Sequence, residues 1–232
     1  MTIHEYLEKQ TTGEQSMLLG ELRAELARYA KKMYDSHLVQ ATQGNISVRD
    51  LTTGLICVTP SGADYHMITA EDIVVVDQDG KTVEGKAKPT TELPLHTLIL
   101  RRRRDIHCVM HTHSPYATAF GVIYQPIPVV LADAALYLGG EVPIAPYQPS
   151  GTEEFAELIA DTLGKGMAII WGNHGAMVVG VSLALAFSAA HALEDNAKVY
   201  AIAKQLGVPV PLSPKEINDL HQQLIKTYEL RQ

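Results

Sequence analysis

The chain has 232 residues, of which 46% are hydrophobic and 19% are charged, and its formal net charge is −7 at pH 7. This composition is ordinary for a globular protein and sufficient for a core, so we expect a single domain over residues 1–232, alone or as a subunit of an oligomer. The net negative charge argues against nucleic acid as the main partner.

The N-terminal part of the chain predicts one amphipathic helix. Residues 18–34 repeat apolar side chains at spacings of three to four, the period of a helix with one buried face. We expect the segment before it to be loosely ordered or to pack on a neighbour. Residues 1–10 lack the apolar core of a signal peptide, and no apolar run reaches the roughly 18 residues of a membrane span.

Short strands joined by turns follow this helix. Three short segments are predicted strands: residues 46–48, which alternate apolar and polar side chains, and the mainly apolar residues 55–58 and 73–77. Gly44 and Asn45 supply turn chemistry before the first strand, and Ser61 and Gly62 form a turn after the second. A turn of this kind is either an anion-binding nest or a plain tight turn. Several short strands in succession predict an antiparallel or mixed sheet.

Polar residues precede the next predicted helix, over residues 93–100. Thr90 and Thr91 stand where its N-cap is expected, and a helix N-terminus with free hydroxyls suits an anion. Glu92 is then either an ordinary first-turn acid or a functional carboxylate. The four arginines at residues 101–104 either bind phosphate or complement the dipole at the helix end, and we favour the second reading.

An apolar run over residues 106–110 predicts a buried strand that leads to His111 and His113. Residues i and i+2 of a strand point to the same side, so both imidazoles can face one metal ion. The alternative is a capping histidine and a core histidine. His174 follows another apolar run, residues 167–171, and would add a third ligand. Three histidines with one open position are typical of a catalytic zinc site.

The remaining chain alternates strands and helices. The predicted strands are residues 141–146 and 176–179, and the predicted helices are residues 114–120, 152–163, 183–206 and 213–228. Asp133 lies in an otherwise apolar stretch, either as an N-cap or as a functional acid. His191 and Glu194, three residues apart on one helix, could bind metal, but we favour packing roles. Cys57 and Cys108 lie in apolar runs, which predicts buried thiols in a reducing, cytoplasmic compartment.

The order and spacing of these motifs resemble the class II aldolase/adducin family of zinc-dependent sugar-phosphate aldolases. The motifs that carry the resemblance begin at Gly44, Thr59, Pro89, His111, Ala145, Asn173 and Lys226. The resemblance implies an α/β fold, a three-layer α/β/α sandwich around a mixed, mainly antiparallel central sheet. It also implies reversible cleavage of a ketose 1-phosphate to dihydroxyacetone phosphate and a small hydroxyaldehyde.

The resemblance also implies roles for individual residues. Zn²⁺ would be held by His111, His113 and His174, with Glu92 as a displaceable fourth ligand and general base. The substrate phosphate would be bound by Gly44, Asn45, Ser61, Gly62, Thr90 and Thr91. Tyr228 would protonate the aldehyde oxygen in a homotetramer whose sites lie at subunit interfaces.

Two departures from the family pattern keep alternatives open. Thr90 and Thr91 replace a usual pair of serines, which keeps the hydroxyls and narrows the pocket. The region of Asp133 resembles the related L-ribulose-5-phosphate 4-epimerases, in which an aspartate serves as acid/base. An epimerase or a decarboxylase of 3-oxo-acid phosphates is therefore the alternative, and a metal-free adducin-like scaffold is the least favoured reading.

Overall fold

The computed structural model describes residues 17–229. Within that range one sheet contains eight strands, in the order β4-β3-β2-β1-β5-β8-β7-β6. The strands are β1 Asn45–Arg49, β2 Ile56–Val58, β3 Val74–Val76, β4 Thr82–Glu84, β5 Cys108–Thr112, β6 Ile144–Ala145, β7 Ala168–Trp171 and β8 Gly175–Gly180. Only β6 and β7 pair in parallel, and the other neighbours are antiparallel. The expectation for the segment before residue 17 lies outside the described residues.

Helices cover both faces of this sheet. They are α1 Gly20–Asp35, α2 Leu93–Arg102, α3 Pro115–Val122, α4 Ala132–Leu138, α5 Glu153–Leu163, α6 Leu183–Leu206 and α7 Pro214–Glu229. On β5, Cys108 and Met110 pack in one core cluster with α1, α3, α4 and α6. Val109, on the opposite side of the strand, packs in a second cluster with α2 and α5. The predicted three-layer sandwich around a mixed, mainly antiparallel sheet is confirmed, and both cysteines are buried free thiols.

Three strand ends meet at one end of the sheet. Asn45, at the start of β1, lies opposite His111 near the end of β5. On the other side of β5, Thr112 lies opposite Ala176 near the start of β8. Because β5 runs antiparallel to both neighbours, its C-terminal end is adjacent to the first residues of β1 and β8. This register brings segments that are far apart in sequence into contact.

Two local predictions differ from the structure. Glu92, not a threonine, is the N-cap of α2, and its carbonyl oxygen accepts hydrogen bonds from the backbone N–H groups of Leu95 and His96. The strand predicted over residues 141–146 is reduced to Ile144–Ala145. Pro143 and Pro146 flank this pair and have no backbone N–H to donate, which confines the ladder with β7 to two residues. Val142, before Pro143, instead pairs with Ile127 in an isolated bridge.

The arginines at the C-terminal end of α2 have structural partners within the chain. Arg102 forms ion pairs with Glu157 and Asp161 on α5. Arg103 pairs with Asp105 at 2.7 Å and donates to the carbonyl oxygen of Gly164 at 3.0 Å. These contacts tie the end of α2 to α5, which agrees with the favoured reading of a helix-end cluster.

Glu194 on α6 fixes the direction in which the chain leaves β5. Its carboxylate accepts hydrogen bonds from the backbone N–H groups of Tyr116 at 2.8 Å and Ala117 at 2.9 Å, in the first turn of α3. A carboxylate at a helix N-terminus satisfies free N–H groups and complements the dipole. The neighbouring His191 packs its ring against Phe187 at 4.6 Å. His191 therefore has a packing role, whereas Glu194 caps the N-terminus of α3.

No helix in residues 17–229 combines the length and apolar character that a membrane crossing requires.

Candidate metal centre

His111, His113 and His174 converge at the end of the sheet where β1, β5 and β8 meet. The first two are carried by β5 and the residue after it, and His174 lies in the turn between β7 and β8. Gly175 makes this convergence possible. A Cβ atom there would lie 2.5 Å from the carbonyl oxygen of Thr112 and 2.9 Å from Cε1 of His111. Only glycine lets the turn approach β5 this closely.

The three imidazoles are spaced as ligands of one ion. Each offers a ring nitrogen, and these atoms all lie within 4.8 Å of one another. Nε2 of His111 and Nε2 of His113 face each other at 2.9 Å. Zinc bound at about 2.0–2.1 Å in a tetrahedron separates its nitrogen ligands by roughly 3.4 Å. The cluster therefore needs only small ring movements to hold such an ion.

The histidines are in the protonation state that metal binding requires. Nδ1 of His111 lies 2.9 Å from the carbonyl oxygen of Ala176, which can only accept, so Nδ1 carries the proton and Nε2 presents a lone pair. Burial lowers the pKa of His111 to about 4 and that of His113 to about 3. Burial also lowers the pKa of His174. All three rings are neutral near pH 7 and free to ligate.

Glu92 occupies a fourth position beside the histidines. It is 4% exposed, with Oε2 3.6 Å from Nε2 of His111 and Oε1 3.5 Å from Nε2 of His174. Among the described residues, no lysine or arginine forms an ion pair with Glu92, and its only basic neighbours within 4 Å are these two neutral imidazoles. A buried carboxylate is costly without a compensating positive charge. The donor set of three neutral nitrogens and one carboxylate therefore fits a divalent cation.

A polar cavity of about 200 Å³ adjoins the histidines. All six residues predicted to bind phosphate line it: Gly44, Asn45, Ser61, Gly62, Thr90 and Thr91. Gly44 has a positive φ of 71°, and a Cβ there would lie 2.7 Å from the carbonyl oxygen of His111. Among residues 17–229, no lysine or arginine lines this cavity, so within that part of the chain an anion would be held by backbone N–H groups and hydroxyls.

Two predicted catalytic residues, Tyr228 and Asp133, do not line the histidine cavity. Tyr228, near the end of α7, lines a different cavity of about 920 Å³ together with Ile106 and His107, which precede β5. That cavity is at the opposite end of β5 from the histidines. Asp133 is exposed in the first turn of α4 and does not line the histidine cavity. The N-cap of α4 is Leu131, so the N-cap alternative for Asp133 is wrong.

Two buried residues at the site were not singled out from the sequence. His96 lies one helical turn after Glu92, is 0% exposed and contacts Asn45. Trp171, also 0% exposed, stacks on His111 with ring centroids 4.7 Å apart. The available signal for His96 was its i+4 spacing from Glu92 on a helix whose other inward residues are apolar.

The fold and this site define an α/β protein with a candidate metal centre and an adjoining polar cavity at one end of its sheet. The sequence pattern of the family described as Class II Aldolase and Adducin N-terminal domain matches residues 24–201. The chain therefore belongs to the class II aldolase/adducin family.

Relatives with named activities are similar over most of the chain. The 5-deoxy-D-ribulose 1-phosphate aldolase of Bacillus thuringiensis serovar kurstaki is 35% identical over 204 residues, covering 88% of this chain and 95% of the relative. The L-fuculose phosphate aldolase of Escherichia coli K12 is 34% identical over 194 residues, covering 84% and 89%. A solved structure of L-fuculose 1-phosphate aldolase superposes with a TM-score of 0.84 at 34% identity, covering 88% of this chain and 96% of that one.

The buried histidines predict that the metal-free protein is sensitive to acid. Unfolded chains protonate imidazoles near pH 6.5, whereas burial lowers the pKa of His96 to about 3 and that of His111 to about 4. Between these values the unfolded state binds more protons, so the free energy of unfolding should fall as pH decreases from about 6.5 towards 4. Urea unfolding at a series of pH values measures this. His96→Gln, which removes one titrating group, should show a shallower dependence, and an unchanged slope would contradict the assignment.

Proposed function

We propose that this protein is a zinc-dependent aldolase that reversibly cleaves a ketose 1-phosphate similar to L-fuculose 1-phosphate. The products would be dihydroxyacetone phosphate and a small hydroxyaldehyde. The observation that carries the proposal is the juxtaposition of three neutral histidines and a buried carboxylate with a polar cavity of phosphate size. The relatives named above are aldolases of ketose phosphates, which supports the same reaction class.

In this proposal His111, His113 and His174 hold the zinc ion, and Glu92 is a fourth ligand that the substrate displaces. When bound, zinc supplies Lewis-acid polarisation of the substrate's carbonyl and hydroxyl oxygens. The hydrogen bond from Nδ1 of His111 to Ala176 fixes that ring for ligation. The ring of Trp171, stacked on the His111 imidazole, covers one face of that imidazole and keeps water away from it.

Glu92 would move the proton. Its oxygens lie at 3.5 and 3.6 Å from histidine nitrogens, so a carboxylate displaced from the ion stays beside the reacting atoms. In the synthesis direction it would take a proton from the carbon of dihydroxyacetone phosphate that forms the new C–C bond, and in the cleavage direction it would return a proton to that carbon, while Tyr228 would exchange the proton of the aldehyde oxygen. General acid–base catalysis of this kind is typically worth about 10²- to 10⁴-fold.

The polar cavity would hold the phosphate away from the reacting carbons. Gly44 and Gly62, which line the cavity, have positive φ angles of 71° and 68°, a backbone conformation that occurs in anion-binding nests. The hydroxyls of Ser61, Thr90 and Thr91 add hydrogen-bond donors. Binding energy from a remote phosphate positions the ketose over the carboxylate and lowers the entropy cost of the reaction.

We further propose that Tyr228 acts from a neighbouring copy in a homotetramer. Within one chain it lies at the other end of β5, so its hydroxyl reaches a histidine cluster only from another subunit. Exposed apolar side chains beside the site support such a contact: Val122 (54%), Ile123 (62%) and Tyr124 (47%) at the end of α3. The Tyr124 hydroxyl accepts a hydrogen bond from the side chain of Asn173, next to His174.

Epimerisation of a ketose 5-phosphate is the second candidate. The observation in its favour is the exposed carboxylate of Asp133, which is available to an adjoining subunit as an acid/base. The same zinc-assisted bond cleavage would then be followed by rejoining of the fragments.

The substrate assay separates these candidates. We expect the zinc-loaded protein to release triose phosphate from L-fuculose 1-phosphate or 5-deoxy-D-ribulose 1-phosphate, measured by coupled NADH oxidation. We expect no interconversion of L-ribulose 5-phosphate, followed by NMR. Pentose interconversion without triose phosphate release would establish the epimerase instead. Protein that neither binds zinc nor gains activity on its addition would support the metal-free scaffold.

Replacing Glu92 tests the proton-transfer role. Glu92→Gln should keep the fold and most of the bound zinc, because the amide oxygen remains, but lose turnover by about 10²- to 10⁴-fold. Steady-state kinetics and metal analysis of the same preparation measure both. The control is Glu154→Gln, which alters an exposed glutamate on α5 and should leave turnover unchanged. Near wild-type turnover of Glu92→Gln would show that another group is the base.

Mixing two inactive variants tests the origin of Tyr228. His113→Ala and Tyr228→Phe should each have very low activity alone. Mixed oligomers made by co-expression contain sites with an intact His113 from one copy and an intact Tyr228 from another, so activity should recover to roughly a quarter of wild type for random assembly. Sedimentation should give four times the chain mass of 25.3 kDa. If Tyr228 acts within its own chain, no activity returns.

A further inference from the structure

A buried chain of hydrogen bonds leads from β1 to the carboxylate of Glu92. The Ser47 hydroxyl lies 2.7 Å from Nδ1 of His96, and Nε2 of His96 lies 2.5 Å from Oδ1 of Asn45. Nδ2 of Asn45 lies 2.9 Å from Oε2 of Glu92. Ser47 and His96 are fully buried, and Asn45 and Glu92 are 6% and 4% exposed.

The hydrogen bonds in this chain have one consistent direction. A carboxylate can only accept, so Asn45 must present its NH₂ group to Glu92 and its carbonyl oxygen to His96. Nε2 of His96 must therefore carry the proton that is donated to Asn45. In a neutral ring Nδ1 is then an acceptor, and the Ser47 hydroxyl donates to it. Burial lowers the pKa of His96 to about 3, which agrees with a neutral ring.

We propose that His96 is a positioning residue, which fixes the Asn45 amide and through it holds the Glu92 carboxylate at the metal centre. The kinetic part of this inference rests on the proposed function, whereas the effect on metal binding does not. If His96 could not donate, the Asn45 amide would be free to rotate by half a turn. Its oxygen would then face the carboxylate, and two acceptors in contact repel.

The residues themselves argue against a purely packing role for His96. It lies on the inward face of α2 beside Leu95, Ile99 and Leu100, all 1% exposed. An apolar side chain would fill this position without the cost of burying an imidazole. The imidazole is fully satisfied only because Ser47 and Asn45 meet both nitrogens. A satisfied buried network of this kind fixes side-chain orientation, and its last acceptor here is Glu92.

Two substitutions of nearly equal size distinguish positioning from packing. In His96→Gln the side-chain amide nitrogen reaches the place of Nε2 and can still donate to Asn45. In His96→Asn the shorter amide reaches only the place of Nδ1, so the donor to Asn45 is lost. We expect the asparagine variant to bind zinc about 10-fold or more weakly and to lose about 10- to 100-fold in kcat. The glutamine variant should stay within about threefold of wild type in both.

Zinc affinity, measured by competition with a chromogenic chelator, is the main readout, since it needs no substrate. In a Glu92→Ala background, His96→Asn should cause no further loss of zinc affinity, because the group it positions is absent. Equal losses in the asparagine and glutamine variants, or full additivity with Glu92→Ala, would overturn the proposal. Wild-type protein that turns over no ketose phosphate would overturn the proposed function alone. The zinc affinities of the single and double variants would still decide the role of His96.

A third substitution keeps the test available if His96→Asn fails to fold. Ser47→Ala removes the donor to Nδ1 and leaves the His96 ring able to flip. It should weaken zinc binding in the same direction, and His96→Gln, which presents no ring to flip, should mask that effect in the double variant. If the folded Ser47→Ala variant bound zinc with unchanged affinity, the proposed role of this chain of hydrogen bonds would be contradicted.

Discussion

A carboxylate buried among neutral imidazoles is the constraint on which the site depends. Glu92 is almost inaccessible to solvent. Among the described residues, its only basic neighbours are His111 and His174, which are neutral because burial lowers their pKa values. Such an arrangement is unfavourable by itself and becomes favourable with a divalent cation between the groups. The strand register, the close approach at Gly175 and the hydrogen bond from Asn45 all serve to bring these charges and lone pairs together.

The sheet brings together site residues that are far apart in the sequence. Glu92 caps a helix, His111 and His113 end a strand, and His174 lies in a turn some sixty residues further along. Antiparallel pairing of β5 with β1 and β8 places all of them at one end of the sheet. The polar cavity is built from turns at the same end, so in the proposed function substrate binding and catalysis would share one rigid frame.

Much of this was predictable from local pattern. β5 follows from its continuous apolar run, and the long helix α6, with its exact predicted bounds, follows from a period of 3.6 residues. The grouping of His111 with His113 follows from the two-residue period of a strand. His174 was added as a third candidate ligand because it follows a second apolar run. The grouping of Glu92 and of the residues predicted to bind phosphate with these histidines came from resemblance to a family, because no local rule reports which strand ends meet. The N-cap role of Glu92 was missed because threonine is the stronger capping residue, whereas in the structure Thr90 and Thr91 both precede the N-cap.

His96 shows a different limit of sequence reasoning. A histidine on the inward face of a helix is indistinguishable by pattern from a core residue with satisfied nitrogens. Its significance emerges only when both ring nitrogens and the two ends of the Asn45 amide are placed at hydrogen-bond distance. The position of Tyr228 was equally hidden, since the sequence gives no sign that α7 lies at the far end of the sheet from the histidines.

That separation has a consequence for how the protein would behave in dilute solution. A strand of five residues spans about 17 Å, so β5 keeps the histidine cluster and the tyrosine cavity of one chain apart. If neighbouring chains complete each other's sites, an isolated protomer is catalytically incomplete even when fully folded. Specific activity would then depend on protein concentration. Any ligand or substitution that weakens the contacts between protomers would lower activity without affecting the pocket directly.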